Sequence, residues 1–273
     1  MKKILITISS LFLISCNVTT KDIIVDTSSH GSINMIKIVG EDVLVLNSTR
    51  SSIQKIDGDS LITVVDPEIT GRDFVLDFIL DGEDVFLSNT YDEIFKYKGN
   101  VIVDTFKIFS PDKIVKIGEK LYVTSRIDSG ILRMIDLKTK KVVSKSLNRT
   151  KNEAKFGQTS LFTHSDKVYL LDNSTKILSV INSNLKILKE IYLPSEADYG
   201  NFSIIDGHPI ILADVKGKLA VFKIEVSMQY SKTGTDIDIS SIDLRTSSID
   251  FNKVYLYDYL REKIEIKRWN YEE

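Results

Sequence analysis

The amino-acid sequence predicts an all-β chain, a six-bladed β-propeller of four-stranded antiparallel blades. Three observations carry this. One short phrase recurs at a nearly fixed period, each copy is flanked by further strand-like runs, and the last copy lacks a strand that the N-terminus can supply. The phrase is clearest in its two most similar copies, "GEDVLVLN" (40–47) and "GEDVFLSN" (82–89). With the Val after "GED" as anchor, equivalent positions are Val43, Val85, Leu121, Val168, Ile210 and Val254, at intervals of 42, 36, 47, 42 and 44 residues. Repeats of about 40–50 residues are those of propeller blades.

Each anchor opens a run of Val, Ile, Leu, Tyr and Phe, the composition of a strand. Four residues on stands a short polar side chain, Asn47, Asn89, Ser125, Asp172, Asp214 or Asp258, suited to starting a turn by bonding the backbone just ahead. A third strand then begins at Ile53, Ile94, Ile131, Ile177, Leu219 and Ile264, and partial alternation in "ILSVIN" and "IEIKRW" gives it one apolar face. A first strand precedes each anchor, at 33–38, 74–80, 113–117, 160–164, 201–206 and 247–250. A fourth follows in five units, at 61–65, 100–106, 141–147, 186–193 and 225–231. Four antiparallel strands make a blade.

The sixth unit runs out after "KIEIKRW". Ile23 to Val25, in "KDIIVDTS", have no blade of their own and are expected to fill its outer position, closing the ring and removing an open edge. A seventh blade is excluded, because Lys232 to Leu244 reads as too short and too polar to supply one.

The N-terminus predicts location. Met1-Lys2-Lys3 is a basic start, and Ile4 to Ile14 is an apolar run of 11 residues. That is short of the roughly 20 that span a bilayer and matches the core of a signal peptide. It ends in Leu13-Ile14-Ser15-Cys16, which resembles the bacterial lipobox. The resemblance implies a signal peptide over 1–15, a lipidated Cys16 attached to the membrane, a tether over 16–20 and a propeller over 21–273. Cys16 is the only cysteine, so no disulfide is expected. The net charge is −2 with no basic block, which excludes a nucleic-acid footprint. A monomeric domain is expected.

"VLVLNSTRSSIQKID", "VYLLDNSTKILSVIN" and "IILADVKGKLAVFKIE" resemble the repeats of NHL-type and related six-bladed propellers of the TolB and SMP-30 kind. These run as a strand, an Asp or Asn at its end, a polar turn, and an aliphatic residue opening the next strand. The resemblance implies the fold more than an activity. It also implies an alternative, since six-bladed lactonases and related enzymes hold a divalent cation such as Ca²⁺ at the channel. Asp73, Asp77, Asn201 and Asp250 are then the conceivable ligands, and Asp77 stands out inside the apolar "VLDFIL". The once-per-blade Asn and Asp residues read instead as turn caps.

His30, His164 and His208 have no metal-binding spacing, and no Ser lies in a nucleophile-elbow context. No catalytic residue is assigned and no cofactor is expected. The leading expectation is a non-catalytic cell-envelope module presenting one loop face to a protein or glycan. The turns between second and third strands and the connections between blades share that face. Arg72, Tyr91, Arg126, Phe156, Tyr199 and Tyr259 are its candidates, because Arg and aromatic residues are enriched at interaction surfaces.

Overall fold

The anchor runs are apolar at nearly every position, a pattern that fits a strand covered on both faces. The computed structural model describes residues 22–30, 32–47, 49, 51–66, 75–128, 130–147, 159–225 and 230–269. They form six four-stranded antiparallel sheets, a six-bladed propeller, with no helix among the described residues. The chain opens with β1 (Ile23–Asp26). Blade 1 is β2 (Ile33–Val39), β3 (Asp42–Asn47), β4 (Ser52–Asp57) and β5 (Ser60–Val65); blade 2 is β6 (Val75–Asp81), β7 (Asp84–Asn89), β8 (Glu93–Lys98) and β9 (Val101–Lys107). Blade 3 is β10 (Pro111–Ile117), β11 (Lys120–Ser125), β12 (Ile131–Asp136) and β13 (Val142–Ser146); blade 4 is β14 (Thr159–His164), β15 (Lys167–Asp172), β16 (Ile177–Asn182) and β17 (Ile187–Tyr192). Blade 5 is β18 (Asp198–Ile205), β19 (His208–Val215), β20 (Lys218–Ile224) and β21 (Tyr230–Asp238); blade 6 is β22 (Ile242–Ile249), β23 (Lys253–Asp258) and β24 (Lys263–Arg268).

Blade 6 takes β1 as its fourth strand, with Ile23 opposite Ile266 and Asp26 opposite Lys263. The expected clasp is therefore present. Thr27 N–H continues it by donating to the Glu262 carbonyl at 2.9 Å. Because β24 runs away from the 259–262 turn, the antiparallel β1 starts on the opposite side of the disc. Asp22 thus enters from the face of the first-to-second-strand turns, called here the hairpin face. The other is the loop face.

The core is not one ball but six layers, one between each pair of neighbouring blades. Leu44 and Leu46 pack toward blade 2, while Val45 between them packs toward blade 6. Val85 and Leu87 likewise face blade 1, and Phe86 faces blade 3. Successive side chains of a strand point to opposite faces, so in a ring every middle strand serves two layers. That is why these strands read as continuous apolar runs.

One expectation is corrected. The outer strand of blade 5 is Tyr230–Asp238, not 225–231, and the stretch set aside as spare supplies it along with the start of β22. Outer strands meet solvent, so polarity is no bar; Thr235 Oγ1 donates to the Leu219 carbonyl at 2.9 Å. The turn caps act as expected at Asn89, Asp172, Asp214 and Asp258, whose Oδ1 atoms accept from backbone N–H groups two to four residues on. The amide of Asn47 also donates across to the carbonyl of His30, tying blade 1 to the clasp.

Candidate functional site

The inner strands bring a ring of polar side chains to the channel, and most of them bridge blades. Asp77 is 1% exposed. Its Oδ1 accepts from its neighbour Phe78 N–H at 2.7 Å, and its Oδ2 accepts from Ile114 N–H of blade 3 at 2.8 Å. It is also ion-paired with Lys37 of blade 1. Asn201 Nδ2 donates to the Ser247 carbonyl of blade 6 at 3.3 Å, and its Oδ1 accepts from Phe202 N–H. Ser160 donates to Gly200, and Thr246 to Asn34 at the closing interface. Asp77 and Asn201 are thus rivets between blades. Asp250 is held apart at a hairpin turn, where it accepts from Asn252 N–H, Lys253 N–H and Tyr255 Oη. Among the described residues no three His, Cys, Asp or Glu converge in a way that could hold a metal. Asp73 lies outside the described residues.

Two groups at the channel are electrostatically distorted. Burial pushes the Lys37 ammonium below the usual lysine range, with Asp77 working against the shift. Burial raises the Asp112 carboxyl above its ordinary value, helped by the nearby charge of Asp77.

On the hairpin-face side of the channel lies a cavity of about 370 Å³, with Asn201 in its wall. It is lined by the hairpin-face ends of the inner strands, among them Lys37, Ile38, Leu80, Val115, Phe162 and Phe202. A second depression shares Ile38, Phe162 and Ser203 with it and reaches the half-exposed Phe251. Lys37 is the residue sequence reasoning missed here. It sits within "INMIKI", where alternation alone makes it an ordinary solvent-facing position.

On the loop face the structure assembles one patch from two blades. Ile108 N–H donates to the Asp92 carbonyl at 2.9 Å, and Ser110 N–H to Asp92 Oδ1 at 2.6 Å. Arg126 then locks the next turn on: its N–H donates to the Ser110 carbonyl at 2.9 Å and its Nη2 to the Thr90 carbonyl at 3.3 Å. Asp92 and Ser110 are held at φ 62° and 50°, left-handed conformations that cost an L-residue roughly 1–2 kcal/mol. These loops are fixed, and they hold Tyr91, Phe109 and Ile127 out at 52%, 62% and 41% exposure.

The structure therefore brings together two of the face candidates, Tyr91 and Arg126. Tyr259 is exposed but sits on blade 6. Tyr199 is corrected. It is 2% exposed, packs edge-on to Phe222, and donates its hydroxyl to the Pro194 carbonyl. β18 starts earlier than expected and draws Tyr199 into the layer between blades 4 and 5. Arg72, Phe156 and Cys16 lie outside the described residues. Phe109 escapes notice because the 108–110 connection is shorter than most of the others, and Ile127 because Arg and aromatic residues, not aliphatic ones, mark interaction surfaces in sequence.

No family model and no curated protein matches this chain. Solved structures do. A catalytically inactive virginiamycin B lyase from Staphylococcus aureus with quinupristin is similar at 11% identity and a TM-score of 0.66, over 92% of this chain and 88% of that one. A member of the DUF4221 family from Bacteroides vulgatus gives 10% identity and 0.65, over 92% and 97%. BBS1N in complex with ARL6DN gives 12% and 0.56, over 88% and 79%. At such identities the likeness is one of fold.

Proposed function

We propose that this chain is a non-catalytic binding module of the bacterial cell envelope, a rigid disc that docks a protein partner on its loop face. The observation that carries the reading is the patch of Tyr91, Phe109, Arg126 and Ile127. Exposed apolar side chains on hydrogen-bonded loops supply contact area with little ordering entropy left to lose on binding. The BBS1N–ARL6DN complex supports the idea that such a disc can bind a protein. Lipidated Cys16 is the proposed membrane anchor. Since Asp22 enters β1 on the hairpin face, an anchor there leaves the loop face turned outward.

A photo-reactive amino acid in place of Phe109 tests the reading in living cells. One adduct of defined mass is expected, and Tyr91→Asp should abolish it. A probe at Val142, exposed on the rim, should not form it. No adduct at Phe109, or the same adduct from both positions, contradicts the proposal. In the same cells the protein should fractionate with membranes and the Cys16→Ala form should not.

A further inference from the structure

The channel cavity opens away from the loop-face patch and has a chemistry of its own. Ten of its lining residues are aliphatic or aromatic, Thr163, Asn201, Ser203 and Ser248 are polar, and about 370 Å³ falls within the range of small-molecule sites. Two lysines line it, and each already has its counter-charge: Lys37 pairs with Asp77, and Lys116 with Asp81 at 2.8 Å. An ammonium carries three N–H donors. Lys37 gives one to Asp77 and one to the Phe78 carbonyl at 2.7 Å, and its side chain is 22% exposed. Among the described residues the third donor has no protein acceptor. The cavity thus combines largely apolar walls, lysine N–H donors left over from their ion pairs and no uncompensated positive charge.

We propose that this cavity binds an uncharged, largely apolar small molecule with an oxygen acceptor, a ketone or ester carbonyl, that receives the third N–H of Lys37. An anion is the wrong ligand. It would bring an unmatched charge into an apolar space where Asp77 already neutralises the ammonium, and a buried unpaired charge is costly. A carbonyl needs only the donor. The site opens on the face where the chain enters β1, and it uses none of the loop-face residues.

The test uses the fluorescent probe N-phenyl-1-naphthylamine at pH 8, displaced by 2-undecanone or by decanoate, a size-matched pair differing in charge. The wild-type protein should bind the probe at one site, and the ketone should displace it at least about tenfold more effectively than the carboxylate. Leu80→Trp, which fills the cavity, should abolish probe binding while leaving the thermal melt cooperative. Lys37→Met should weaken the ketone about tenfold, the effect of one charge-assisted hydrogen bond, and leave the probe bound. Three results overturn the proposal: no saturable probe binding, Leu80→Trp binding like wild type, or decanoate competing as well as the ketone. Unchanged ketone affinity in Lys37→Met overturns the assigned donor. Should that variant fail to fold, Leu80→Trp and the ketone–carboxylate comparison still decide the matter.

Discussion

Val25→Asp is expected to open the ring. Val25 is fully buried in the layer between blades 6 and 1, packed with Ile33, Ile36, Val45, Tyr255, Tyr257, Ile264 and Ile266. It is the only buried residue of β1, whose other three side chains are exposed. A carboxylate there has no partner, and the strand can relieve the burial only by leaving the sheet. Leaving uncovers the β24 edge and the apolar layer behind it. The loss should exceed about 4 kcal/mol, the range reserved for buried unpaired charges and broken cores. Ile24→Asp is the matched control, since Ile24 is 50% exposed; a surface change of this kind stays within about 0.5 kcal/mol. Urea unfolding of the two variants against wild type checks the contrast, and equal losses would mean that β1 does not face inward at Val25.

Asp77→Leu should be nearly as damaging, for a different reason. It strands the Lys37 ammonium in the channel and leaves the N–H groups of Phe78 and Ile114 without their acceptor. Removing one partner of a buried pair costs about 3–5 kcal/mol. Replacing the whole pair by apolar groups is often close to neutral. The double variant Lys37→Met/Asp77→Leu should therefore recover part of the loss, short of wild type by the two orphaned N–H groups at about 1–3 kcal/mol each. A double variant no more stable than Asp77→Leu alone, in chemical denaturation, would mean that the ion pair is not what Asp77 supports. A cation-ligand role for Asp77 carries no expectation of rescue by Lys37→Met.

The fold was legible because its strongest constraint is written into consecutive residues. A middle strand serving two interblade layers must be apolar throughout, as in Val43 to Leu46, and six such runs at similar spacing leave little choice of architecture. The clasp was legible from a deficit, a sixth unit without its outer strand. The outer strand of blade 5 was not, because an outer strand needs only one covered side, so the Thr and Asp residues of β21 looked like a linker. The loop-face patch was half legible. Tyr91 and Arg126 stand in turns that the repeat marks, but Phe109 and Ile127 become neighbours only through the bonds of Asp92, Ser110 and Arg126. Tyr199 misled because strand length, not residue type, decides whether it faces water. Asp77 and Lys37 lie 40 positions apart in sequence and meet only when blades 1 and 2 close on each other. No local pattern announces such a contact.

The ring and its clasp are the central claim, since they set on which face the chain enters β1 and on which face the proposed partner would dock. The most direct test is a designed disulfide between Ile24→Cys and Glu265→Cys, in a Cys16→Ser background that removes the natural thiol. The two residues are directly opposed in register, and opposed antiparallel residues lie about 4.5–5.5 Å apart at Cα, within the reach of a disulfide. The account predicts a rapid intrachain bond under mild oxidation, seen as a faster-migrating monomer on a non-reducing gel, with a higher melting temperature than the reduced form. Failure to crosslink, or crosslinking only between chains, would contradict it.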